Sequence, residues 1–193
     1  STRRTMSTGW SALRVAFSLQ SNYANIHPIF ISMKTIGIIG GLGPETTAEF
    51  YLDITFSCQK QDRTIRAPIL ISSVPLPFKV EEDLILTNTG TERYIPFLIA
   101  EAKRLEKAGA DFLVMPCNSV HVFIEEVRAA VSIPVLSIIE ATVQFLKKQQ
   151  FHRVGIISTS ATIQNKLYET AFEKNQIEYV TPDAFQQAKL GKL

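Results

Sequence analysis

Two short segments hold the residues with chemistry to offer. The first is Met115-Pro116-Cys117-Asn118-Ser119-Val120-His121. An apolar run ends at a proline, and a thiol, an amide, a hydroxyl and an imidazole follow directly. Read as a strand running into a helix, this segment delivers Cys117 to the mouth of a sheet, where α/β proteins bind ligands. A helix starting at about Asn118 points its free N–H groups back at the sulfur. A thiol so placed is expected to ionise more readily than a free one, whose pKa is about 8.5. The plain alternative is a small buried hydrophobe. The second segment is Gly40-Gly41-Leu42-Gly43-Pro44. Its glycines let the backbone approach a small anionic ligand, or simply make a tight turn. A dinucleotide fingerprint would need glycine where Thr46 stands and an acid at the end of the second strand. That strand ends Ser72-Ser73-Val74, so no nucleotide site is expected.

Other candidates are weaker. Thr159, Ser160 and Thr162 cluster after the fifth strand. Their hydroxyls suit a carboxylate, or cap a helix. His121 lies four residues after Cys117 and shares its helical edge. It either tunes the thiol, caps a polar network or is an ordinary surface histidine. A metal site needs more ligands than this pair, and His27 and His152 sit in no ligand spacing, so no metal is expected. Cys58 lies on an apolar stripe with Phe50, Tyr51 and Ile54 and reads as a core thiol.

The elements that must position these groups follow from periodicity. Strands are expected at Thr35–Gly40, Pro68–Val74, Asp111–Met115, Ile133–Ile138, Arg153–Ser158 and Ile177–Val180. Helices are expected from Pro44, over Glu92–Ala108 with Gly109 as its stop, and after Cys117 with Val120, Phe123, Ile124, Val127 and Val131 on one face. Further helices are expected over Glu140–Gln149, Ile163–Asn175 and from Asp183. The segment from Pro75 to about Asn88 reads as a long loop, a candidate lid. Six strand–helix alternations predict an α/β fold of doubly wound parallel sheets. The expected division is an N-terminal extension (1–32), a first lobe (33–135) and a partial second lobe (136–193).

Composition narrows the class. With 46% hydrophobic and 20% charged residues, the 193-residue chain suits an ordinary globular protein. A formal charge of +2 implies no nucleic-acid partner. Two cysteines argue against a disulfide framework and for a reducing, cytoplasmic setting. No apolar run reaches the roughly 18 residues of a membrane span. Residues 1–32 hold Arg3, Arg4 and Arg14 but no acid. They read as an organellar transit peptide or as sequence upstream of a start at Met33.

The two segments together resemble the aspartate/glutamate racemase family. The resemblance runs from Met33 to about Ala188, through Lys103–Phe112, Ile133-Pro134-Val135, Ser137–Glu140 and Ser158–Thr162. It implies two flavodoxin-like lobes, no cofactor, and a cleft in which two thiols act on opposite faces of an amino acid. Cys117 would be the first-lobe acid or base. Asn118, Ser119 and Thr159 would hold the α-carboxylate, and Gly41 and Leu42 would line the pocket. Lys79 stands where acidic-substrate members tend to carry arginine, and would meet the distal group of aspartate or glutamate. Ser119 replaces the more usual threonine. The family's second cysteine, in a later Gly-Cys-Thr segment, does not appear. Two alternatives follow: a single-cysteine decarboxylase or isomerase of the same superfamily, and an inactive small-anion-binding fragment. An exposed sheet edge offers a route to a homodimer.

Overall fold

The computed structural model describes residues 33–64, 66–83 and 90–190. Expectations for residues 1–32, for the loop end at Asn88 and for the last three residues lie outside the described residues. The architecture is α/β with parallel pairing throughout the described strands. Four strands form one sheet in the order β2-β1-β3-β4: β1 Ile36–Gly40, β2 Ile69–Ser73, β3 Phe112–Val114 and β4 Val135–Leu136. That is the doubly wound order 2-1-3-4. The strands β5 Arg153–Gly155 and β6 Glu178–Val180 pair separately. The six expected strands are all present, each shorter than the apolar run that marks it, and they divide between two sheets.

Both faces of the central strands β1 and β3 are buried, which is why they read as unbroken apolar runs, while the edge strand β2 is partly exposed. Alternation assigns the faces. Ile36, Ile38, Phe112 and Val114 point into one cluster with Phe50, Ile54 and Phe172. Ile39 and Leu113 point into the other, with Leu98, Leu105, Met115 and Val120. Gly37 lies on this second face because a Cβ there would meet Leu113 Cδ2 at 2.5 Å and Ala110 Cβ at 2.9 Å.

Helix α1 (Pro44–Gln61) starts with proline in its first turn, as expected. Helix α2 (Phe78–Glu82) occupies part of the segment expected to be loop. A 3-10 turn (Thr91–Tyr94) leads into α3 (Ile95–Lys107), which stops before Gly109 at φ 96°. On α3 the buried Glu101 accepts from Ser72 on the edge strand and pairs with Arg104 at 3.4 Å.

The segment after Cys117 departs from expectation. It is a 3-10 helix over Ser119–Phe123, followed by α4 (Ile124–Ala130). Helix α5 is Ile138–Lys148. The single helix expected over Ile163–Asn175 is two, α6 (Ser160–Gln164) and α7 (Leu167–Lys174). Lys166 between them adopts the left-handed φ of 48°, a conformation that breaks a helix. Helix α8 is Ala184–Leu190.

The start of α5 is unusually well capped. Ser137 Oγ accepts from the N–H groups of Ile139 (3.2 Å) and Glu140 (3.3 Å), and Ile138 N–H donates to His121 Nε2 at 3.1 Å. Replacing Ser137 by alanine should cost about 1 kcal/mol. A urea melt should show this as a lower midpoint with an unchanged slope.

Candidate active site

In a doubly wound sheet the ligand crevice opens at the carboxyl ends of the strands, where the strand order reverses. Here that point lies between β1 and β3. The glycine turn follows β1, and the Cys117 loop follows β3.

The glycine turn is stitched by one side chain. Thr47 Oγ1 accepts from Gly41 N–H at 3.0 Å and donates to Gly43 O at 3.1 Å. Gly41 has φ 82°, and a Cβ there would collide with Ser73 Oγ at the end of β2. Gly41 N–H is therefore spent on Thr47. Leu42 is buried in the core cluster against which Cys117 packs.

The cysteine loop is held by His121. This imidazole is buried, and both ring nitrogens are engaged. Nε2 accepts from Ile138 N–H, so the proton resides on Nδ1, which donates to Cys117 O at 2.8 Å. Of the three expectations for His121, the polar-network cap matches. Burial pushes its pKa down from 6.5 to about 4, with the bond to Cys117 opposing and the Arg128 charge reinforcing the shift.

Cys117 is half-buried. The backbone N–H groups of Ser119 and Val120 do favour its thiolate, as the sequence predicts. The expectation of an acidic thiol is nevertheless corrected. Loss of solvent raises the pKa and outweighs both amides, and the Glu81 charge raises it further. A five-residue 3-10 helix also offers less of a dipole than a full α-helix. Cys58 is raised by burial as well, and packs in the cluster on the opposite face of the sheet.

Three more groups converge on the loop. Ser119 Oγ and Thr159 Oγ1 share a hydrogen bond of 3.1 Å across 40 residues of sequence. Thr159 Oγ1 is in turn 3.1 Å from Thr162 Oγ1, which is wholly buried. Tyr168 on α7 donates its phenol proton to Asn118 Oδ1 at 2.7 Å. Burial pushes the phenol up to about 12, with Thr142 opposing, so it stays a donor.

The structure thus unites Cys117, Asn118, Ser119 and Thr159. Lys79 is placed differently: its ammonium lies 2.9 Å from Asp83 and 3.3 Å from Glu82. Glu81, between them in sequence, acts electrostatically on both Cys117 and Tyr94. Tyr168 was not legible as a site residue, because its spacing to Phe172 reads as an apolar stripe. Among the described residues no cluster of three or more potential metal ligands occurs, and no helix is long and apolar enough to cross a membrane.

A sequence profile of the Asp/Glu/Hydantoin racemase family matches residues 39–193. The chain belongs to this family. It is 33% identical over 157 residues to a broad-specificity amino-acid racemase of Bacillus subtilis, covering 79% of this chain and 66% of that relative. The chain therefore spans slightly less than two thirds of that relative's length. A glutamate racemase of Persephonella marina is 34% identical over 89 residues, covering 45% of this chain and 34% of that protein. Among solved structures, an aspartate racemase homologue from Pyrococcus horikoshii superposes with a TM-score of 0.69 at 27% identity, covering 83% of this chain and 69% of that one. The aspartate racemase of Picrophilus torridus gives 0.68 at 26% identity, with 82% and 65% covered.

Two outcomes test the electrostatics. His121 titrates near 6.5 unfolded and near 4 folded, so folding favours its neutral form. Its contribution is complete above pH 6.5 and falls away as pH drops toward 4, a loss of about 3 kcal/mol. Urea melts across that window should show the loss, and His121→Gln should remove most of it. Iodoacetamide labelling of Cys117, read by mass spectrometry, should keep accelerating past the pH at which labelling of a free thiol levels off. A plateau near neutral pH would mean that the amides outweigh burial.

Proposed function

We propose that this chain carries the first catalytic half of a cofactor-independent amino-acid racemase acting on aspartate or glutamate. The observation that supports it most is the bond between Ser119 and Thr159, which brings a hydroxyl from beyond β5 to the cysteine loop. Asn118, Ser119 and Thr159 then hold the α-carboxylate. Cys117, as thiolate, takes the α-proton: the Cα–H bond breaks, an S–H bond forms, and the electron pair left on Cα spreads into the carboxylate. Returning a proton to the same face restores the substrate. Returning one to the opposite face inverts it and needs a second acid there.

Among the described residues no second thiol reaches this site, since Cys58 packs on the other face of the sheet. The dicarboxylate preference draws on relatives named as aspartate and glutamate racemases. It does not draw on Lys79, which would have to leave two carboxylates to meet a substrate. A cytoplasmic location fits the free thiols.

The test is proton NMR wash-out of the α-hydrogen of L- and D-aspartate and glutamate in deuterated water, with chiral chromatography on the same samples. Slow exchange of one enantiomer with little inversion is expected, because an unpositioned donor forgoes the roughly 10²–10⁴-fold gain of a positioned acid. Exchange should vanish in Cys117→Ala. Fast interconversion of both enantiomers would show a second acid in this chain. Ligand binding that survives Cys117→Ala, with no exchange in the parent, would favour the anion-binding alternative instead.

A further inference from the structure

The geometry points to Tyr168 as a positioning residue that fixes the amide of Asn118 with its NH2 group toward the substrate's carboxylate. This inference rests on the proposed carboxylate site but concerns a residue outside it, on a helix 50 residues further along the chain.

Three observations carry it. First, the phenol of Tyr168 is buried and donates to Asn118 Oδ1 at 2.7 Å, near the usual length of an O–H···O bond. An amide has one oxygen and two N–H donors. Once Tyr168 has claimed the oxygen, the side of Asn118 left over can only donate. Second, no hydrogen bond occupies the Nδ2 group among the described residues, and Asn118 is half-buried directly after Cys117. Unengaged donors at the rim of a crevice suit an anion. A lone asparagine would not choose, because its two ends are nearly the same shape and either can face a ligand. Third, Tyr168 is itself held. Its ring packs against Phe172 with centroids 5.8 Å apart, and Thr142 of α5 reaches its phenol. The rigid partner is therefore the tyrosine, and the oriented one is the asparagine.

Thr159 and Tyr168 both come from the chain beyond β5, and both engage neighbours of Cys117. One supplies a hydroxyl directly. The other acts through Asn118 and does not meet the substrate.

The inference is testable by a double-mutant cycle. The variants are Tyr168→Phe, which keeps the ring and removes the hydroxyl, Asn118→Ala, and both together. Two readouts are taken on the full chain: the concentration dependence of α-hydrogen exchange, and protection of Cys117 from iodoacetamide by L- and D-aspartate. Tyr168→Phe should weaken half-saturation and half-protection by about tenfold, the scale of one hydrogen bond to a charged group. The maximal exchange rate and the labelling rate without ligand should change by less than about threefold, since the thiol is untouched. In the Asn118→Ala background the same substitution should have almost no further effect. Strict additivity would overturn the inference, because it would make Tyr168 a packing residue only. So would unchanged half-saturation in Tyr168→Phe while exchange proceeds, which leaves the racemase reading standing. Protection that obeys the cycle without any exchange would do the reverse. Absence of both protection and exchange in the parent chain would remove both readings. Thermal melts of each variant separate these outcomes from misfolding.

Discussion

The architecture around the cysteine loop depends on one neutral imidazole. His121 bridges two backbone groups that no secondary structure pairs, the carbonyl of Cys117 and the first amide of α5. Both would otherwise be costly, since a buried polar group without a partner loses about 1–3 kcal/mol. The bridge works only in one protonation state and one tautomer, because the amide must find an acceptor and the carbonyl a donor. It locks the cysteine loop after β3 to the turn after β4. Those neighbouring strands thus present their following loops at a fixed separation, and the thiol has little freedom to wander.

The scaffold beneath is a sheet used on both faces. Two apolar clusters, divided by the plane of the strands, clamp β1 and β3 between them. The cluster that takes Ile36, Ile38, Phe112 and Val114 also includes Phe172 and Ile177 from the chain beyond β5. That part is therefore not a free appendage. Its packing against the large sheet brings Thr159 and Tyr168 within hydrogen-bonding distance of Ser119 and Asn118. That one shared cluster both ties the chain beyond β5 to the large sheet and brings these side chains together.

Much of this was readable from sequence. Strong apolar runs ending at Gly40 and Pro116 revealed the buried strands, and the residues just beyond them had to be at the crevice. The breaks were harder. Nothing in Ile163–Asn175 marks Lys166 as left-handed, because the apolar pattern continues on both sides of it. Three readings of His121 stand open in the sequence and nothing there chooses among them, since its partner amide at Ile138 is 17 residues away and becomes a neighbour only when β4 joins the sheet. Tyr168 was hidden for the same reason: its ring belongs to the core, and only its oxygen reaches the cysteine loop, at Asn118. Local spacing shows which face a residue occupies. It does not show what lies across from that face.

The acidity of the thiol shows why magnitudes must decide between true statements. Helix-start amides do favour an anion, by typically 0.3–1 kcal/mol at exposed positions. Burial opposes the anion, by up to about 3–5 pKa units when complete. Both act on Cys117, and the larger one prevails. Position after a strand therefore places Cys117 at the crevice without making its thiol acidic. The two amides of Ser119 and Val120 are already aimed at the sulfur and need no reorganisation when the charge forms.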